Sequence, residues 1–144
     1  MAPSRRHLTK ANYETLATLR YALRRYLAFS AMAARKAGLS PQQHQSLLAI
    51  KGNAGREHLT VGELAERLQL KHHSAVGLVD RLARRGLVRR AAAPDDRRCV
   101  HVRLTPRGEA VLERLSATMR TELRRIGPQL RALLAKIGSS RRPA

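Results

Sequence analysis

The sequence has few of the side chains that mark several large classes of protein. It contains no tryptophan, and its three tyrosines and one phenylalanine all lie within positions 13–29, so no sheet offers aromatic platforms on which unpaired bases could stack. The single cysteine, Cys99, excludes a framework of internal disulfides and suits a reducing compartment. No run of about 18 apolar residues is present, and the first residues lack the apolar segment of a signal peptide. We therefore expect a cytoplasmic protein with no membrane-spanning segment.

Acidic residues are scarce. The 144 residues include 10 Asp and Glu against 29 Lys and Arg, which gives a formal net charge of +19. So few scattered carboxylates disfavour paired-carboxylate catalysis, and the sequence has no Gly-rich phosphate loop, metalloprotease His-Glu pair or nucleophile elbow. We therefore expect no enzyme and no cofactor, and we expect a polyanionic partner, most simply nucleic acid.

The positive charge is unevenly distributed. Residues 40–70 hold three basic and three acidic side chains, whereas residues 71–103 hold nine basic and three acidic ones. General attraction to a polyanion would not by itself predict this partition. The segment 71–103 is therefore the first candidate for a binding surface, although both chain ends are basic too.

Two short helices separated by a tight break are predicted around the start of this segment, the first of them just before it. The first spans 60–68 and begins with a capping box formed by Thr60 and Glu63. The second spans about 71–85. The break at 69–71 has the length of a helix-turn-helix turn but lacks the glycine that such turns often carry. The buried stripe of the second helix, at the i, i+3, i+4, i+7 spacing, is formed by Ala75, Leu78, Val79 and Leu82.

The other side chains of the second helix point away from that stripe and can meet a duplex. Gly77 adds no bulk and Arg81 can fork onto guanine or phosphate, so this face can approach the floor of a groove. Gly77 costs about 1 kcal/mol of helix propensity relative to alanine, which suggests close approach, although plain tolerance explains it equally well. For the histidines at the helix start, a solvated end is the alternative reading. The predicted DNA contacts of this helix are Lys71, His72, His73, Ser74, Gly77 and Arg81.

A basic hairpin is predicted after the second helix. Gly86 is placed to end the helix, and residues 99–104 alternate apolar and polar side chains, as a half-buried strand does. The expected partner strand is 87–90, with the turn at 94–96. The side chains expected on the buried face are Val100, Val102 and Leu104.

The tip of this hairpin carries Arg97 and Arg98. Beside a recognition helix, such a tip can touch the phosphate backbone or enter a narrow minor groove, so both arginines are predicted DNA contacts. Together these patterns predict a mainly α fold with a small β-hairpin wing, that is, a winged helix-turn-helix that reads double-stranded DNA.

Five short motifs, in the same order along the chain, resemble the MarR family of dimeric winged-helix transcription regulators. They are LAERL at 64–68, LVDRL at 78–82, GLVRR at 86–90, DRR at 96–98 and LTPRG at 104–108. The resemblance implies that Arg98 is the wing's contact with DNA and that Asp96 orients the wing. It further implies a sequence-specific regulator, with repression as the expected sense, acting as a homodimer on a near-palindromic operator.

Helices are also predicted on both sides of the reader, as we call the helix-turn-helix together with its hairpin wing. The first, 8–37, is about 30 residues and about 45 Å long, so something must pack along it, and in the family it resembles that is the partner subunit. A helix over 41–50, capped by Ser40, is expected to bury Leu47, Leu48 and Ile50. After the reader, a long helix from Pro106 is expected to break at Gly127-Pro128, before a last short helix.

The expected domain organisation follows from these helices. Residues 1–37 and 106–144 form a helical dimerisation region, and residues 38–105 form the winged helix-turn-helix DNA-binding domain. The resemblance alone implies a small ligand whose binding makes the protein release DNA. It places the ligand pocket between the dimer helices and the DNA-reading segment, with His44 and Tyr26 as candidate lining residues. An arginine-rich lining would favour an anionic aromatic or carboxylate effector.

Cys99 and His101 share a strand face, but two ligands are too few for a metal site, so no metal is expected. A redox role for Cys99 would rest only on the neighbouring arginines and is not expected either. The alternative function is an architectural DNA-binding protein indifferent to sequence, which the charge of +19 supports.

Overall fold

The computed structural model describes residues 7–96 and 98–139, and it is mainly helical with a small antiparallel sheet. The elements in chain order are α1 (Lys10–Lys36), α2 (Pro41–Lys51), β1 (Leu59–Thr60), α3 (Val61–Leu68), α4 (His72–Arg84), β2 (Val88–Ala92), β3 (Val100–Leu104) and α5 (Pro106–Gly138). This order confirms the predicted helix-turn-helix followed by a hairpin wing. None of the helices within the described residues is long and apolar enough to cross a membrane.

The sheet has one strand more than the sequence predicts. Its order is β1-β3-β2, with both pairings antiparallel. The hairpin pairs Val88 with Leu104 and Ala92 with Val100, so β2 begins one residue later and ends two residues later than expected. Strand β1 pairs Leu59 with Val102. It is only two residues long, which is too short to give an alternating pattern in the sequence.

The chain divides into two compact units, each described here by itself. One unit is Ala31–Thr118, and the other takes in the described parts of Met1–Ser30 and Met119–Ala144. The hydrophobic core of the first unit includes the whole predicted stripe of α4, together with Leu47, Ile50, Leu64 and Val102.

Two residues predicted to be buried are exposed. Leu48 is 50% exposed, because α2 buries His44, Leu47 and Ile50 and Leu48 lies on the opposite side of the helix from Ile50. Val100 is 36% exposed, since the outer end of β3 extends past the core toward the wing tip. Alternation along a strand shows which residues share a face but not where the core ends.

The predicted break at Gly127-Pro128 is wrong, because α5 continues through Pro128 to Gly138. A proline inside a helix removes one hydrogen bond and crowds the preceding turn. The residue before a proline is also restricted, partly by its own Cβ. Gly127, the residue before Pro128, has no Cβ. The preceding glycine therefore removes part of the steric conflict and lets the helix continue.

The start of α5 is packed tightly against the base of the wing. The Thr105 hydroxyl accepts a hydrogen bond from the Gly108 N–H at 3.1 Å and donates one to the Gly86 carbonyl at 2.5 Å. The Thr105 N–H donates to the Leu87 carbonyl at 3.1 Å. A Cβ on Gly108 would lie 2.1 Å from that same Leu87 oxygen, so this position requires glycine. The LTPRG motif is thus explained by close contact between helix and wing.

Candidate nucleic-acid interface

The turn between α3 and α4 reaches its geometry without a glycine. Gln69 ends α3 in the left-handed conformation, with φ 54° and ψ 46°. The Leu70 N–H donates to the Ala65 carbonyl at 2.8 Å, which satisfies one of the last carbonyls of the helix. The capping box of Thr60 and Glu63 predicted at the other end of α3 is confirmed. Both ends of α3 are therefore fixed, and the helix can brace α4.

The predicted surface of α4 is open to solvent. Lys71 is the N-cap of the helix and is exposed. His72, His73 and Arg81 are exposed, and Ser74 and Gly77 are half-buried. A Cβ at Gly77 would lie 3.4 Å from Arg81 Nη1, so the guanidinium of Arg81 lies over the bare backbone of Gly77.

The wing tip is organised by Asp96. Its Oδ1 accepts a hydrogen bond from the Arg98 N–H at 3.0 Å and lies 3.7 Å from Arg98 Nε. The Cys99 N–H donates to the Asp96 carbonyl at 3.0 Å, which closes the turn. The Arg98 side chain is 95% exposed and projects from this turn. Arg97, the second predicted wing contact, lies outside the described residues.

An ion pair joins the recognition helix to the wing, and the sequence analysis did not predict it. Arg90 on β2 donates to the carboxylate of Asp80 on α4. Asp80 is the single acidic residue of α4, so this pairing occupies the one carboxylate that would repel phosphate there. Both side chains are partly exposed, and such a pair contributes little to stability. Its effect is to hold wing and helix in register and to leave the face of α4 basic.

A second link holds the other end of α4. Arg85, the C-cap, donates through Nη1 to the Gly38 carbonyl at 2.6 Å and to Gln43 Oε1 at 3.2 Å. Gln43 also belongs to the capping box that starts α2 at Ser40. The recognition helix is thereby tied to the corner between α1 and α2.

Two histidines stack where β1 meets β3. The rings of His58 and His101 lie 3.9 Å apart between centroids, with 19° between their planes. The pKa of His58 is lowered by desolvation first and then by the nearby charges of His101, Arg56 and Arg103. Within the described residues, His58 Nδ1 is buried without a hydrogen-bond partner. His58 and His101 are 43 positions apart in the chain, so no local sequence pattern indicates their contact.

The remaining candidate residues of this unit are Cys99 and His44. Cys99 is exposed, with Sγ 3.9 Å from Asp96 Oδ2. Among the described residues, no group of three or more His, Cys, Asp or Glu side chains could hold a metal ion. His44, a candidate effector contact, is 3% exposed, and burial lowers its pKa. Its Nε2 has no hydrogen-bond partner in the part of the chain that the structure describes.

Comparisons with known proteins agree with this geometry. The model of the MarR family matches residues 37–98. The HTH-type transcriptional repressor MdtR of Bacillus subtilis is 32% identical over 82 residues, which cover 57% of this chain and 51% of MdtR. The match therefore spans about half the length of that relative.

Two solved structures extend the similarity along the chain. A probable transcriptional regulator from Pseudomonas aeruginosa is 34% identical, with 83% of this chain and 93% of that chain covered and a TM-score of 0.59. A mutant of MepR from S. aureus, bound to an oligodeoxyribonucleotide, is 20% identical, with 93% and 99% covered and a TM-score of 0.67. At that identity the likeness to MepR concerns the fold alone.

Proposed function

The chain belongs to the MarR family of transcription regulators, and on this premise we propose that it binds double-stranded DNA as a sequence-specific homodimer. The observation that carries the proposal is the surface of α4. It presents basic and hydrogen-bonding side chains, its single carboxylate is paired with Arg90, and it lies beside a wing whose Arg98 is 95% exposed. The proposed role is regulatory and not enzymatic.

In this proposal α4 enters the major groove. The N-terminal residues of a recognition helix contact base edges, so His72, His73 and Ser74 would lie nearest the bases. Arg81, held over Gly77, would fork onto a guanine or clamp a phosphate. Lys71 would neutralise backbone charge, since its side chain is exposed at the start of the helix.

The wing would supply the second contact. Asp96 fixes the backbone of the turn, and the Arg98 guanidinium extends from it. An arginine on a narrow hairpin can reach into the minor groove, where A·T tracts strengthen the negative potential. We propose the same role for Arg97 on the sequence pattern alone.

The homodimer is proposed from the exposed apolar surface of the unit that contains the two chain ends. The segments 7–30 and 119–139 leave nine large apolar side chains more than a third exposed, and contiguous exposed apolar surface marks interaction sites. These are Leu8, Tyr13, Leu16, Tyr21, Leu23, Leu27, Leu123, Leu134 and Ile137. A second copy that covers them would present two readers to successive major grooves about 34 Å apart on a near-palindromic site. The expected dimerisation region, 1–37 with 106–144, and the DNA-binding domain, 38–105, remain part of this proposal.

Repression, ligand release and location complete the proposal. MdtR is named a repressor, which supports the same sense here. Release by a small anionic aromatic or carboxylate ligand is proposed from the family alone. We also propose the cytoplasmic location that is expected from the sequence, because the proposed partner is chromosomal DNA.

The competing proposal is an architectural protein that binds any duplex, and a selection experiment separates the two. The full chain is offered random duplexes, and the enriched sequence is then competed against random DNA at fixed salt. A regulator prefers the enriched duplex by about 10³-fold or more. Arg81→Ala should reduce this preference, whereas Arg114→Ala, an equal loss of charge on α5, should leave it unchanged. Equal affinity for all duplexes would favour the architectural protein.

A further inference from the structure

One exposed apolar side chain interrupts the polar surface of the recognition helix. Val76 is 36% exposed, and α4, all of which the structure describes, has no other large apolar side chain that exposed. Its nearest polar neighbours on the helix surface, one turn away, are His72, His73 and Asp80. A β-branched residue has a lower helix propensity than alanine, so helix propensity does not account for valine at this position.

The position of Val76 puts it within reach of bases. It is the fifth residue of α4, one turn from the end that would enter the groove. Asp80, one turn further along the helix, is paired with Arg90, so no unpaired carboxylate of α4 lies beside Val76. Val76 therefore lies at the edge of the outward surface, near the end of the helix that would enter the groove.

The major groove contains one apolar group that such a side chain can recognise, the C5-methyl of thymine. Cytosine has no methyl at that carbon, and the purines present only polar edges in the groove. We propose that Val76 is a specificity-determining residue that contacts a thymine methyl in each half-site of the operator, an inference that rests on the proposed function.

The size of the effect on affinity follows from the burial of one methyl group. Burial of one methyl group contributes about 0.8 kcal/mol, which corresponds to about fourfold in affinity. Replacing that thymine by deoxyuridine removes the methyl and keeps every hydrogen-bonding group of the base. The expected loss is thus about fourfold at one thymine of each half-site, and it requires Val76.

The test uses the full chain and the duplex that it enriches from a random pool. Each thymine is replaced in turn by deoxyuridine, and affinity is measured for the wild type, Val76→Ala and Val76→Thr. The wild type should lose about fourfold at one thymine per half-site, Val76→Ala should lose nothing there, and Val76→Thr, which keeps one methyl, should lie between them.

Val100→Ala is the matched control. Val100 is also 36% exposed, but it lies on the wing, where a minor-groove contact cannot sense the C5-methyl. It should therefore keep the wild-type pattern. A flat deoxyuridine scan on an enriched duplex, or a penalty that Val76→Ala leaves unchanged, overturns the inference and leaves the proposed function intact. Failure to enrich any sequence overturns both.

Discussion

Replacing Gly108 with alanine tests how the wing is anchored to α5. The new Cβ would be built 2.1 Å from the Leu87 oxygen, whereas ordinary contacts lie between 3.4 and 4 Å. Backbone therefore has to move by more than 1 Å. The atom that must move accepts the Thr105 N–H, and the adjacent Gly86 carbonyl accepts the Thr105 hydroxyl.

The magnitude combines three effects. Overpacking costs about 1–3 kcal/mol, and loss of the two hydrogen bonds costs about 1 kcal/mol each. Alanine recovers about 1 kcal/mol of helix propensity. The expected net loss in the free energy of unfolding is about 2–4 kcal/mol, which lowers Tm by roughly 10 °C for a chain of this size.

The assay is thermal and urea unfolding followed by circular dichroism, with Gly62→Ala as the control. Gly62 also lies in the first turn of a helix, but its Cβ would meet only Thr60 Oγ1 at 3.9 Å. The control should be as stable as the wild type or slightly more so. If Gly108→Ala unfolds at the wild-type temperature, the close contact between α5 and the base of the wing does not hold in solution.

Three further predictions concern the wing, the histidine pair and the turn of the reader. Arg98→Ala should make the dependence of log K on log salt shallower by about 2 for a dimer, at about 0.9 per phosphate contact, and an unchanged slope and affinity would remove the wing from the mechanism. Because the folded-state pKa of His58 lies below its ordinary value of 6.5, stability should be constant well above pH 6.5 and fall as the pH drops below that value. His58→Gln should reduce this fall in urea titrations and leave the part that the buried His44 contributes, and an unchanged fall would show that His58 is not one of its sources. Gln69→Gly should raise the free energy of unfolding by about 0.5–1 kcal/mol, because glycine adopts φ 54° without strain, and a loss of stability would show that the Gln69 side chain stabilises the turn.

Periodic patterns predicted the reader well. The stripe of Ala75, Leu78, Val79 and Leu82 is buried as expected, because a helix packed on one side leaves its period in the sequence. Local capping signals were equally informative, since Ser40 and Thr60 form their boxes with residues only three positions away.

Contacts between distant segments could not be predicted in the same way. The Asp80–Arg90 pair depends on how the wing folds back toward α4, and the His58–His101 stack depends on the unpredicted strand β1. Pro128 was misjudged because the rule that proline ends a helix is a tendency that the preceding glycine weakens. The sequence did not single out Val76. Whether a valine beside a buried stripe is exposed depends on how far the neighbouring elements cover the helix, and the sequence of the helix does not show that.

The most direct test of the account is a hydroxyl-radical footprint of the full chain on its enriched duplex. The account predicts two protected half-sites related by a near-palindrome, with centres about 10–10.5 base pairs apart, because two copies would present α4 to successive major grooves. A single protected half-site, or uniform protection along the duplex, would contradict it.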